Sequence, residues 1–148
     1  MKRALYFIAS IIILCMTSSC MQNNGYIGDL FGQWRLENIR HDNVVDECDT
    51  VFFAFQSDVM QIQKVDYLTY ERIAATGLYT HQDGSIKVNL YNYYGQEITT
   101  EAQTARLLRF LESLHIEDTA PLFVVEKLNW NEMVLQYNDY RYTFSKLD

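Results

Sequence analysis

The chain has 148 residues, 19 acidic side chains against 12 basic ones, and a formal net charge of −7. That length is one domain. The acidic balance excludes a nucleic-acid partner, whose phosphates it would repel, and excludes adhesion of the protein body to anionic membrane surfaces.

Met1-Lys2-Arg3 precede an apolar run over residues 4–16, followed by Thr17-Ser18-Ser19-Cys20. A basic start, a short apolar centre and small residues lay out a secretory signal. The run is too short for a transmembrane helix, which needs about 20 apolar residues. The stretch "TSSC" resembles the lipobox of bacterial lipoproteins, with Thr17 where Leu is usual. The resemblance implies a signal peptide over residues 1–19, lipidation of Cys20, a tether through residue 28 and a folded domain over residues 29–148. A plain secreted protein is the alternative. Without residues 1–19, 129 residues remain, with 10 basic and 19 acidic side chains and a net charge of −9. The tether "MQNNGYIG" averages about 15–20 Å in reach, which holds the domain close to its membrane. Lipoproteins of the Bacteroidetes type that reach the cell surface often carry an acidic run just after the cysteine. Here Met21-Gln22-Asn23-Asn24 follow, so the expected location is the outer membrane, lipid-anchored and facing the periplasm. Cys15 leaves with the signal and Cys20 carries lipid, so Cys48 stands alone and no intramolecular disulfide forms. It reads as a packed thiol rather than a reactive one.

From Phe31 onward strands dominate. Trp34 and Leu36 alternate with Gln33, Arg35 and Glu37, and "TVFFAF" (residues 50–55) is apolar on both faces. Met60 and Ile62 follow the turn Gln56-Ser57-Asp58. Residues 72–80 read as a further strand, with Ala75 and Gly77 as small positions. Asp83-Gly84 marks a hairpin, after which Ile86, Val88 and Leu90 alternate with polar residues. The period then changes. Residues 100–114 place Leu107, Leu108, Leu111 and Leu114 at helical spacing, and Thr100 with Gln103 forms a capping box. Packing of this leucine stripe on the barrel is the expectation, with partner docking as the alternative. Residues 122–128, 133–137 and 140–147 form three closing strands joined by hairpin-length loops. The sum is a mostly β chain. It predicts an eight-stranded antiparallel up-and-down barrel with one α-helix between strands five and six, closure removing the exposed sheet edges.

Gly32-Gln33-Trp34 on the first strand of an eight-stranded meander resembles the lipocalins. The plan of lipobox, short tether and Gly-x-Trp strand is similar to small lipocalin-like lipoproteins of Bacteroidetes-type bacteria, as is the closing "YRYTFSKL". Avidin-like barrels carry a similar opening. The resemblance implies that Gly32 and Trp34 close one barrel end, Trp34 packing against a basic residue of the last strand. Arg141 is assigned that role, with Lys146 as its competitor. The chain departs from the lipocalin pattern in its helix, which precedes the last strands instead of following them, and in the position of Asn138-Asp139-Tyr140, one hairpin late.

An eight-stranded barrel is filled by side chains, or holds one small ligand if some stay small. The inward positions are mostly large, among them Trp34, Phe53, Phe55, Met60, Tyr142 and Phe144. Ala75 and Gly77 would leave room on one side. A ligand within the barrel is therefore assigned to Phe53, Phe55, Ala75, Gly77 and Tyr142. The acidic stretch "HDNVVDECD" fits neither an EF-hand nor a zinc site and reads as a solvated loop. Tyr91, Tyr93 and Tyr94 cluster as strand-end packing or as an interaction face. No phosphate loop, nucleophile elbow or zincin motif is present, so neither catalytic residue, metal nor cofactor is assigned. Two functions stand. One is a lipid-anchored envelope binding module taking a small apolar ligand. The other is a solid barrel that contacts another envelope protein through loops, helix or tyrosine cluster.

Overall fold

Alternating apolar side chains need one face against a core, and ten strands of the computed structural model, which describes residues 28–147, supply it. The signal segment, the lipidation site expected at Cys20 and most of the tether lie outside the described residues. Strand β1 (Gly32–His41) buries Trp34, Leu36 and Ile39. The step from 36 to 39 breaks strict alternation because a bulge at Glu37 shifts the register against the last strand. Strand β2 (Val44–Glu47) pairs with the far half of β1, and β3 (Val51–Gln56) with its near half. The stretch expected as a loop is thus largely a hairpin, turned at Asp42 with a positive φ of 51°.

Strands β4 (Val59–Val65), β5 (Arg72–Gln82) and β6 (Ser85–Tyr93) continue the meander, with Asp83-Gly84 turning between the last two. The two-residue β7 (Gln96–Glu97) folds back on β6. Helix α1 (Glu101–Glu112) follows, and β8 (Leu122–Leu128), β9 (Glu132–Tyr137) and β10 (Tyr140–Lys146) complete the chain. The sheet runs β10-β9-β8-β6-β5-β4-β3-β1, and β10 pairs with β1, closing an eight-stranded antiparallel barrel. The short β2 and β7 enter the chain order, so the helix lies after β7 and before β8, not strictly between the fifth and sixth strands. Sequence patterning misses both because neither buries a side chain.

The antiparallel register defines two ends. Residues 32–34, 56–59, 82–85 and 128–132 gather at one; residues 41–44, 65–72, 93–96 and 137–140 gather at the other. Helix α1 belongs to the second end. Its capping box forms as expected: the Gln103 amide donates to Thr100 Oγ1 at 3.3 Å and the Thr100 amide to Gln103 Oε1 at 3.0 Å. It buries Leu107, Phe110 and Leu111, followed by Leu114 and Ile116 in the next turn. Phe110 takes the core position, while Leu108, read as part of the stripe, is only half-buried. The buried Tyr142 hydroxyl donates to the Leu114 carbonyl at 2.8 Å, tying the end of the helix to β10.

Candidate functional site

At the first end Trp34 is fully buried, and its Nε1 donates to the Leu30 carbonyl at 2.9 Å. The Lys146 ammonium lies 5.0 Å from the centre of the Trp34 ring and donates to the Asp29 carbonyl at 2.8 Å. Gly32 holds φ +123°, a backbone state costly for other residues, and a Cβ there would meet Lys146 Cε at 3.0 Å. Lys146 rather than Arg141 is the basic partner. The register decides this: Trp34 stands opposite Lys146, while Arg141 stands opposite Arg40 near the other end, where it pairs with Glu126. This end is a plug.

The barrel interior is occupied by its own side chains. The Phe53 ring centre lies 4.8 Å from that of Phe144 and 6.1 Å from that of Phe123, which in turn contacts Tyr137 and Tyr142. Of the residues assigned to a ligand, Phe53, Phe55, Ala75 and Tyr142 belong to this core, packed to exclusion of solvent. Burial pushes the Tyr142 phenol well above its ordinary value. Gly77 supplies no room either. At a β5–β6 bulge its backbone runs against β6, and a Cβ would lie 2.4 Å from the Asn89 carbonyl oxygen. Its smallness serves strand packing.

The open space lies at the second end, between α1 and the β4–β5 connection, as a cleft of about 770 Å³. One wall carries Val65, Tyr67, Leu68 and Ile73; the helix contributes Arg106, Arg109, Phe110 and Ser113. Tyr93 lines it as well, its ring 5.6 Å from Phe110. A smaller cavity of about 160 Å³ shares Tyr93 and Arg106 with it. Burial raises the Tyr93 phenol, and the positive charges of Arg109 and Arg106 oppose that rise. None of the five expected ligand residues lines the cleft. A sequence signal for it did exist: Arg106 and Arg109 sit three apart, on one helix face beside the leucines.

At the same barrel end, Tyr140 is stacked between His41 and His115, with ring centres 4.7 and 4.4 Å away, and His115 Nε2 lies 3.6 Å from Asp46 Oδ2. The stack joins the β1–β2 hairpin to the segment after the helix. Cys48 is half-buried and packs at the edge of the core. Among the described residues no three His, Cys, Asp or Glu side chains are grouped to hold a metal ion.

A closed meander plugged by Trp34 at one end and covered by a helix at the other is the setting for the comparisons with known proteins. A family model for the lipocalin-like domain matches residues 14–147. The chain belongs to the lipocalin-like family. Two solved structures share the fold of this lipocalin-like protein. One is a lipocalin-like protein from Bacteroides uniformis, 21% identical, with 81% of this chain and 100% of that chain covered and a TM-score of 0.65. The other is an uncharacterized protein from Bacteroides eggerthii, 21% identical, with 80% and 99% covered and a TM-score of 0.63. No curated protein matches the chain.

Proposed function

We propose that this protein is a lipid-anchored envelope binding module that takes a small, largely apolar molecule in the cleft beneath α1. The cleft carries the reading. Its volume of about 770 Å³ falls inside the range of about 300–1,000 Å³ typical of small-molecule sites. Six aliphatic or aromatic side chains, Val65, Tyr67, Leu68, Ile73, Tyr93 and Phe110, supply its apolar surface, and the charged groups around them would fix orientation. The site moves from the barrel interior, where sequence reasoning located it, to the barrel mouth, because the interior is filled with aromatic rings. The described chain begins at the plugged end, where Gly28 to Leu30 pack beside Trp34 and Lys146. A tether leading there from Cys20 makes the helix-covered mouth the part of the barrel farthest from the anchor. An outer-membrane location facing the periplasm would present that mouth to the periplasmic solution.

The rim of the cleft supports a second reading. Tyr67, Leu68 and Tyr70 are 54%, 92% and 85% exposed on the β4–β5 connection, and Tyr91 and Tyr94 are exposed nearby. Clustered exposed apolar side chains are what an envelope-protein partner would cover. Native mass spectrometry with organic extraction, on the domain purified gently from its own host, separates the two. The expected result is one small molecule per chain, released on denaturation. A protein that arrives empty and takes up none of a panel of fatty acids, alcohols and sterols overturns the carrier reading in favour of the partner.

A further inference from the structure

The two walls of the cleft differ in chemistry. Val65, Tyr67, Leu68 and Ile73 of the β4–β5 wall and Tyr93 give the cleft its apolar surface, while the helix presents Arg106 and Arg109 from successive turns, and Lys64 adds a third positive charge. Among the described residues none of these three cations makes an ion pair, on a chain with 19 acidic side chains. Two carboxylates also line the cleft. Asp66 is turned back into its own loop, where Oδ1 accepts from the amides of Leu68 at 2.8 Å and Thr69 at 3.3 Å. Those bonds hold its carboxyl below the ordinary range. Glu71 is the second acid, so three cations face two carboxylates. Arg109 gains something from the helix dipole in the last turn; Arg106 lies a turn earlier and gains little. Both arginines act on the Tyr93 phenol between them and the core, in the sense that favours an anion there.

We propose that the cleft selects an anionic amphiphile, a single-chain molecule whose acid head, carboxylate or phosphate, lies against Arg106 and Arg109. Its tail runs along Val65, Ile73, Tyr93 and Phe110. The proposal rests on the cleft being the ligand site and adds the class of ligand. A guanidinium fork recognises either acid by paired hydrogen bonds, and the low-dielectric wall beside it strengthens that attraction. An uncharged apolar ligand would leave Arg106 and Arg109 without an ion-pair partner, and a cationic one would face three like charges against two carboxylates, one of them, Asp66, turned back into its own loop.

The test is isothermal titration calorimetry on the purified protein, with four ligands sharing a ten-carbon tail and used below their micellar concentrations: decanoate, decyl phosphate, decanol and decyltrimethylammonium. The expected order is an anion first, about tenfold or more tighter than decanol, with the ammonium weakest; the tighter of the two anions names the head. Arg106→Gln with Arg109→Gln should bring both anions down to the level of decanol while decanol binding stays unchanged. Both side chains are exposed and glutamine is nearly as good a helix former, so an unchanged melting midpoint is expected in the same variant. Equal binding of anion and alcohol by the native protein, or an anion preference that survives the double substitution, overturns the proposal and leaves the cleft as a site. Failure of all four to bind overturns the ligand-site reading itself and this proposal with it.

Discussion

The two ends of the barrel are built on opposite terms. At the plugged end Trp34 is buried, its indole N–H is bonded, Lys146 covers its face, and the Lys146 ammonium is bonded in turn. At the helix-covered end, Arg106 and Arg109 have no carboxylate partner among the described residues, and Tyr67, Leu68 and Tyr70 of the β4–β5 connection face solvent. Sequences that specify one fold satisfy local preferences almost everywhere and depart from them where another demand acts. On the function proposed above, the contrast divides stability at one end from recognition at the other.

Three substitutions sharpen or break that division. The largest effect is expected from Trp34→Ala, which removes a fully buried indole and should cost about 3–5 kcal/mol in denaturant unfolding. Affinity for a cleft ligand should persist under conditions where the variant is still folded, and a selective loss of binding would tie the two ends together. Tyr142→Phe comes next. It leaves the buried Leu114 carbonyl with one fewer donor, and an unsatisfied buried acceptor costs about 1–3 kcal/mol. Hydrogen exchange should rise mainly in α1 and the turn after it. Uniform acceleration across the barrel would mean that the helix is an inseparable part of the core and not a cover.

The smallest effect is expected from Glu37→Gln at the β1–β10 seam. Burial alone would raise the Glu37 carboxyl, but hydrogen bonds from Ser145 and Arg35, with the Arg35 charge, hold it below its ordinary value of 4.5. A carboxyl depressed by folding stabilises the native state above that ordinary value, and the contribution is lost as pH falls through the folded-state value. The native protein should therefore be more stable than the variant at neutral pH, with the gap closing below pH 4.5. A gap independent of pH would show that the amide loses packing rather than charge.

Much of the architecture was legible because the signals are local. Each inward position read from alternation, from Trp34 through Phe144, is buried, and the Asp83-Gly84 hairpin and the Thr100–Gln103 cap lie where residue type alone demands them. The errors share a cause. Arg141 and Lys146 are both basic residues of the last strand, and only the register against β1, shifted by the bulge at Glu37, says which one meets Trp34. Gly77 reads as open space in one dimension and turns out to be close backbone contact in three.

By itself the sequence determined a β meander, the helix and its cap and the side-chain face each strand buries; that Trp34 plugs one end was implied by the resemblance to lipocalins. These depend on residues within a few positions of one another and on the period of the element that carries them. Tertiary structure alone decided that the interior is filled and that open space lies instead between residues 64–73 and 106–113. Those segments are far apart in the chain, and a cavity depends on how volumes meet after folding, which no periodicity records.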